Sequence, residues 1–160
     1  MKIFIVIDPT FIKSFERVIK SLELVISVEY LFISPIENRF NEKKNNYRKF
    51  KYGKEIEEYI LKNFSLKLDY MFNFNVLHIY TEDFLKKINY RSFNFHNSPL
   101  PLYRGINSVN WGLFKNEKSW GITWHKIASS VDSGDIIYQK IFDIPMNIYQ
   151  VDLINYCFIL

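Results

Sequence analysis

Residues 92–144 read SFNFHNSPLPLYRGINSVNWGLFKNEKSWGITWHKIASSVDSGDIIYQKIFDI, and the pattern changes period several times along this stretch. SFNFH alternates aromatic and polar side chains, the period of two expected of a strand. The prolines at 99 and 101 then take the chain out of the sheet, because proline has no N–H to give to a ladder. Apolar positions recur at helical spacing over about 106–116. GITWHKI and IIYQKIFDI read as two further strands flanking the turn VDSGD. Working outward, LDYMFNF (68–74) is a strand, 81–87 a short helix, and KEIEEYILKNF (54–64) an amphipathic helix with Ile56, Tyr59, Ile60 and Phe64 on one face. A strand lies within LVISVEYLFIS, and the opening KIFIVID is a buried strand followed, behind Pro9, by a helix over about 11–22. Val151, Leu153, Ile154, Cys157 and Phe158 give a last helix. Alternating apolar runs and amphipathic helices predict an α/β domain with a mostly parallel central sheet flanked by helices, one unit spanning 1–160.

Composition agrees with a single globular domain: 160 residues, 48% hydrophobic and 18% aromatic, far from a disordered class. A chain of this size buries enough surface to need no staple. Cys157 is the single cysteine, which excludes an intramolecular disulfide framework or a zinc ribbon and fits a reducing, cytoplasmic setting. No apolar run approaches the roughly 18 residues of a membrane helix, so no membrane partner is expected. The net charge of +4 is local. Residues 37–54 hold seven basic residues against two acidic, and the remainder holds 14 against 15. Nucleic-acid binding is therefore not expected, since it calls for positive charge spread over a face. The basic run reads as a solvated loop, or as a lure for a phosphate-bearing substrate.

Three polar residues that are awkward to bury fall at element ends: Asn94, His96 and Asp132. Asn94 and His96 are two apart on a strand and share a face, while Phe93 and Phe95 face the other way. His125 lies on the next strand, and Asp132 stands in the turn before Gly134, where its carboxylate could fix an imidazole tautomer. Each has an ordinary reading as well, as a hydrogen-bonded core histidine or a common turn sequence. Ser98 lacks a nucleophile elbow, and Cys157 sits in an apolar helix, so neither reads as a nucleophile. The chemistry that fits is acyl transfer without a covalent enzyme intermediate. Asn94 would donate to a developing oxyanion, His96 would stabilise it or move a proton, and Asp132 would orient the site and help remove an amine proton.

The stretch from Asn94 to Ile144, with its Asn-x-His, its proline-broken loop and Tyr-Arg-Gly, and its His125 separated by six residues from Asp132, with Gly134 after it, resembles the 10-formyltetrahydrofolate-dependent formyltransferases. LDYMFNFNVLHIYTEDFL resembles the strand and loop that help wall their folate pocket, so the resemblance runs from Leu68 to Ile144. It implies a Rossmann-like catalytic domain that uses 10-formyltetrahydrofolate and no metal. Asn94, His96 and Asp132 would be the catalytic residues, with His125 and Gly134 in support. Folate would lie against Val76, Leu77, His78 and Ile79 and against Ala128, Ser129, Ser130 and Val131. His78 on its own reads as a packing or surface histidine. Tyr103 and Arg104 would shape the substrate mouth, or Arg104 would cap its loop.

The implied reaction is direct attack of an amine through a tetrahedral intermediate. IDPTF replaces the glycine-rich phosphate loop of glycinamide ribonucleotide enzymes, and 160 residues leave no room for a tRNA-holding barrel domain, so the expected acceptor is a small amine. A nucleotide-linked amino sugar stands ahead of an aminoacyl group. The alternatives are a methionyl-tRNA formyltransferase-like fragment, a formyltetrahydrofolate hydrolase, a catalytically silent domain, or a two-histidine, one-carboxylate metal site from His96, His125 and Asp132. The apolar, uncapped end at Cys157–Leu160 adds two expectations, a domain that stops short of its relatives and a homodimer.

Overall fold

Successive residues of a strand face opposite sides of its sheet, and the opening strand β1 (Lys2–Ile7) sorts its side chains in this way. Ile3, Ile5 and Ile7 enter one buried cluster, and Phe4 and Val6 enter another. The computed structural model describes residues 2–7, 27–33, 47–64 and 68–160. The strands that follow β1 are β2 (Ser27–Ile33), β3 (Tyr47–Phe50), β4 (Tyr70–Phe74), β5 (Ser92–His96), β6 (Ser119–Lys126) and β7 (Ile136–Asp143). With the helices α1 (Gly53–Phe64), α2 (Glu82–Lys87), α3 (Ser108–Phe114) and α4 (Gln150–Ile159), they make one sheet in the order β3-β2-β1-β4-β5-β6-β7. The five strands from β3 to β5 in that order pair in parallel, and β6 and β7 add on antiparallel. The sheet is mostly parallel, as the sequence predicts.

Local chemistry sets the helix starts. Glu55 accepts hydrogen bonds from the Lys51 and Tyr52 N–H groups ahead of α1, and the Thr81 hydroxyl caps α2 by accepting from the Phe84 N–H. Two expectations change. Tyr47–Phe50, read as part of a basic loop, forms edge strand β3 paired with β2. Four residues, two of them charged, are too short to show an apolar period, and a short charged strand is what a sheet edge tolerates. The helix expected from 106 begins at Ser108, because Asn107 is left-handed with φ 59°. The helix expected over 11–22 and residues 37–46 of the basic run lie outside the described residues.

On one face of the sheet, α3 with Val109 and α4 with Leu153 pack over Ile3, Ile5, Ile7, Phe74, Phe95 and Trp120. Phe95 stacks on Phe74 and on Phe158 of α4, with ring centroids 5.9 and 5.2 Å apart. On the other face, α1 and α2 cover Phe4, Val6, Met71 and Tyr80. Register places Asn73, Asn94 and His125 side by side across β4, β5 and β6. The flanking row Phe74, Phe95 and Trp124 is apolar, so alternation puts a polar row and an aromatic row on opposite faces. Trp120 ties the aromatic core to the loop after β5. It is buried, and its indole N–H donates to the Asn97 carbonyl at 2.8 Å. Trp120→Ala is expected to cost about 3–5 kcal/mol in urea unfolding, and a cost under about 1 kcal/mol would show that this core repacks freely.

Candidate active site

The polar row and the two loops above it bring four side chains together. Asn94 Nδ2 lies 3.1 Å from His125 Nε2 and 3.5 Å from Asp132 Oδ1. His125 Nε2 is 3.4 Å from the same carboxylate oxygen, and His96 Nδ1 is 3.5 Å from Oδ2. Asp132 Oδ2 also accepts the Gly105 N–H at 2.8 Å. A register shift between Trp124 and His125 marks an irregularity in β6 next to this cluster, the kind of feature that re-aims a side chain beside a functional site. The backbone is left-handed at Asp132 (φ 43°), Tyr103 (φ 58°) and Asn107 (φ 59°), and at Gly105 (φ 86°). Strain of this kind in non-glycine residues collects at functional sites.

Hydrogen bonds fix which nitrogen does what. His125 Nδ1 donates to the Lys126 carbonyl at 2.7 Å, which leaves Nε2 to accept from Asn94. The second Asn94 N–H meets only the long 3.5 Å contact to Asp132 and remains available to an oxygen in the cleft. His96 Nε2 donates to the Tyr103 carbonyl at 2.9 Å, so Nδ1 carries the lone pair beside Asp132. Ser98, fully buried, donates to the Leu102 and Tyr103 carbonyls and holds that loop. Thr123 donates to the Ser98 carbonyl at 2.7 Å and accepts from the Leu100 N–H and the Gln139 amide. The peptide bond Leu100–Pro101 in the same loop is cis.

Burial pulls the His96 pKa down, against the opposing pull of Asp132 and the Tyr103 carbonyl. Burial would raise the Asp132 carboxyl, but its contact with His125, the neighbouring His96 and the Gly105 N–H together hold it below its ordinary value. The cluster therefore pairs an ionised carboxylate with a buried imidazole biased toward its neutral form. Burial also pushes the Cys157 thiol up to about 12, which leaves it protonated and unreactive at neutral pH.

A cleft of about 530 Å³ opens above Asn94, His96, His125 and Asp132. Val76, Leu77, His78 and Ile79 line one wall, and Ala128, Ser130 and Val131 line another. Ser129 is not among the lining residues and hydrogen-bonds Glu82. Leu77 is 76% exposed and Ile79 52%, so apolar atoms stand open at the wall rather than packed in the core. Tyr103 and Arg104 lie outside this cleft, in an adjoining depression with Trp111 and Lys115. Gly134 closes the Asp132 turn: a Cβ there would overlap the Lys126 carbonyl, the same oxygen that accepts from His125. Among the described residues no three His, Cys, Asp or Glu side chains are arranged to hold a metal ion, and no helix is long and apolar enough to cross a membrane.

The family model described as formyl transferase matches residues 34–155. The chain belongs to the formyl transferase family. The match reaches upstream of the segment whose resemblance was legible in the sequence. Over 74 residues the chain is 43% identical to the bifunctional polymyxin resistance protein ArnA of Wigglesworthia glossinidia brevipalpis, an overlap of 46% of this chain and 11% of that protein. This chain thus spans only a small part of the length of that relative. Among solved structures, a phosphoribosylglycinamide formyltransferase from Bacillus halodurans superposes with a TM-score of 0.77 at 17% identity, over 98% of this chain and 87% of that one. A candidate sugar N-formyltransferase from Mycobacterium tuberculosis gives 0.74 at 16% identity, over 98% and 61%. These structures share the formyltransferase Rossmann-like fold with this chain.

Several groups at the site carry little signal in the sequence. The Gly105 N–H and the Tyr103 carbonyl act through the backbone, and Gln150 and Ile154 reach the cleft from α4, far along the chain. The Tyr-Arg-Gly triplet does carry a cue to the first of these, since glycine is the residue that takes φ 86° without strain.

The two lowered pKa values fix a pH dependence. A group that binds protons more tightly when unfolded makes stability rise with pH. For His96 the stabilisation is full above an unfolded value of about 6.5 and is lost as pH falls through the lower folded value. For Asp132 the corresponding loss begins only below about pH 3.9. Melting temperature should therefore fall between about pH 7 and pH 5, and His96→Asn should flatten that slope. An unchanged slope in the variant would remove His96 as the cause.

Proposed function

We propose that the chain transfers a formyl group from 10-formyltetrahydrofolate to the primary amine of a small substrate, with a nucleotide-linked amino sugar the preferred acceptor and an aminoacyl group second. The observation that carries this reading is the convergence of an Asn94 N–H held only by the long Asp132 contact, the His96 Nδ1 lone pair and the Asp132 carboxylate at one cleft. The donor set fits the folate: polar groups converge below, and open apolar side chains at Leu77, Ile79 and Val131 suit the faces of a planar heterocycle. Val76, Leu77, His78 and Ile79 would hold it from one side, and Ala128, Ser130 and Val131 from the other. Bound there, the folate supplies an electrophilic formyl carbonyl.

The chain's own groups then divide the work. Asn94 donates its second N–H to the oxygen that gains negative charge, and His125, by accepting the other N–H, keeps that amide turned toward the cleft. His96 Nδ1 takes up the proton that the amine must lose and would return it to the folate nitrogen that leaves as its bond to the formyl carbon breaks, while Nε2 stays fixed to the Tyr103 carbonyl. The Asp132 carboxylate, 3.5 Å away, stabilises the imidazolium so formed. A low-lying pKa suits this acceptor, because the imidazole must be neutral before it can take the proton. Tyr103 and Arg104, in the adjoining depression, would meet the acceptor side of the substrate. IDPTF in place of a glycine-rich phosphate loop argues against a glycinamide ribonucleotide acceptor, and the amino-sugar preference rests on the resemblance of residues 98–127 to formyltransferases that act on nucleotide-linked amino sugars.

Purified protein given 10-formyltetrahydrofolate and a panel of amino sugars, nucleotide-linked amino sugars and aminoacyl amines should formylate a nucleotide-linked amino sugar fastest. Asn94→Ala should lower kcat by about 10²–10³-fold, roughly 2.7–4 kcal/mol of barrier, with an unchanged circular dichroism spectrum. Formate release at a rate that no amine alters would point to a hydrolase instead. Modification of methionyl-tRNA alone would overturn the small-amine reading.

A further inference from the structure

Glu57 is an acidic side chain of α1 buried on the helix face that also carries Ile56 and Ile60. A carboxylate in that position is costly unless its lone pairs are filled, and among the described residues its side-chain hydrogen bonds all go to a single segment. Oε1 meets His78 Nε2 at 2.7 Å and the Thr81 N–H at 3.1 Å, and Oε2 accepts the Thr81 hydroxyl at 2.6 Å. The segment between Asn75 and Thr81 has no regular secondary structure, yet Val76, Leu77, His78 and Ile79 form the cleft wall. Its side chains alternate. Leu77 and Ile79 are exposed, whereas His78 is half-buried and Tyr80 is buried, donating its hydroxyl to Asn73 Oδ1. The inward residues hold the wall in place while the outward ones are left free for a ligand. Gly53, at the start of α1, completes the seat: a Cβ there would overlap the His78 ring.

We infer that Glu57 is a positioning residue for the formyl donor, acting through His78 and Thr81 to hold the Val76–Ile79 wall in the shape that receives the folate. The inference rests on the folate reading of this cleft. It goes beyond it by assigning donor affinity to a side chain that touches neither substrate nor reacting atoms. Removing the charge frees His78 and loosens the segment, while the Asn94, His96 and Asp132 cluster, held by β5, β6 and their loops, is untouched. Gly53→Ala reaches the same end by a different route, because it unseats His78 while raising helix propensity in α1.

Titration calorimetry with tetrahydrofolate, on the full chain and on Glu57→Gln, Gly53→Ala and the double variant, tests this. Each single variant should bind about tenfold more weakly, and the double variant no more weakly than the worse single, since both release the same contact. Hydrogen exchange should quicken in peptides covering 75–81 and stay unchanged in those covering β5 and β6. A lowered melting temperature with unchanged tetrahydrofolate affinity would mark Glu57 as purely structural and overturn the inference, as would additive losses in the double variant. Wild-type protein that fails to bind tetrahydrofolate would overturn the folate reading itself, and the positioning with it. Binding by wild type and Glu57→Gln alike would overturn the positioning alone.

Discussion

The Asp132 carboxylate is the point on which the site depends. Its two oxygens face Asn94, His96 and His125 at 3.4–3.5 Å and accept the Gly105 N–H at 2.8 Å. For a carboxylate to stay ionised there, the surrounding polar groups must outweigh the burial that favours its neutral form, and the His125 and His96 neighbours with the Gly105 N–H hold it below its ordinary value. Geometry imposes a second condition, that the turn carrying Asp132 close against β6. Gly134 allows this by giving up a side chain beside the Lys126 carbonyl, and the Lys126 N–H donates to the Asp135 carbonyl at 2.9 Å. The same Lys126 carbonyl accepts from His125 Nδ1, so one backbone oxygen links the closure of the turn to the tautomer of the histidine and thence to the Asn94 amide.

What the sequence made legible follows from where each signal resides. Parity along SFNFH put Asn94 and His96 on one face, and the sheet keeps it so because Phe95 is claimed by Phe74, Trp124 and Phe158 on the other. The parallel core was legible because strands buried on both faces give unbroken apolar runs. Strand β3 was not, since its pairing with β2 lies in the backbone and its four residues are too few to show an apolar period. Glu57 was hidden for a related reason. Within KEIEEYILKNF it reads as one more charge on an amphipathic helix, and only the fold brings His78 and Thr81, 21 and 24 residues away, to its carboxylate. Tyr103 was legible as a residue of the site but not as a carbonyl, because sequence motifs name side chains and His96 is held by a backbone oxygen.

The floor and the walls of the cleft are built to different standards of rigidity. Asn73, Asn94 and His125 are adjacent by strand register, and a one-residue slip would turn every one of them to the opposite face. Chemistry at the floor is therefore specified by the same ladder that specifies the fold. The walls, over 75–80 and 128–132, have no ladder of their own and depend on single contacts: Glu57 to His78 and Thr81, Tyr80 to Asn73, Gly105 to Asp132. Substitutions in those contacts can reshape what the cleft admits without disturbing the register beneath. The floor of the cleft is thus set by the sheet, and its walls, the Asp132 turn among them, by the contacts that hold the loops down.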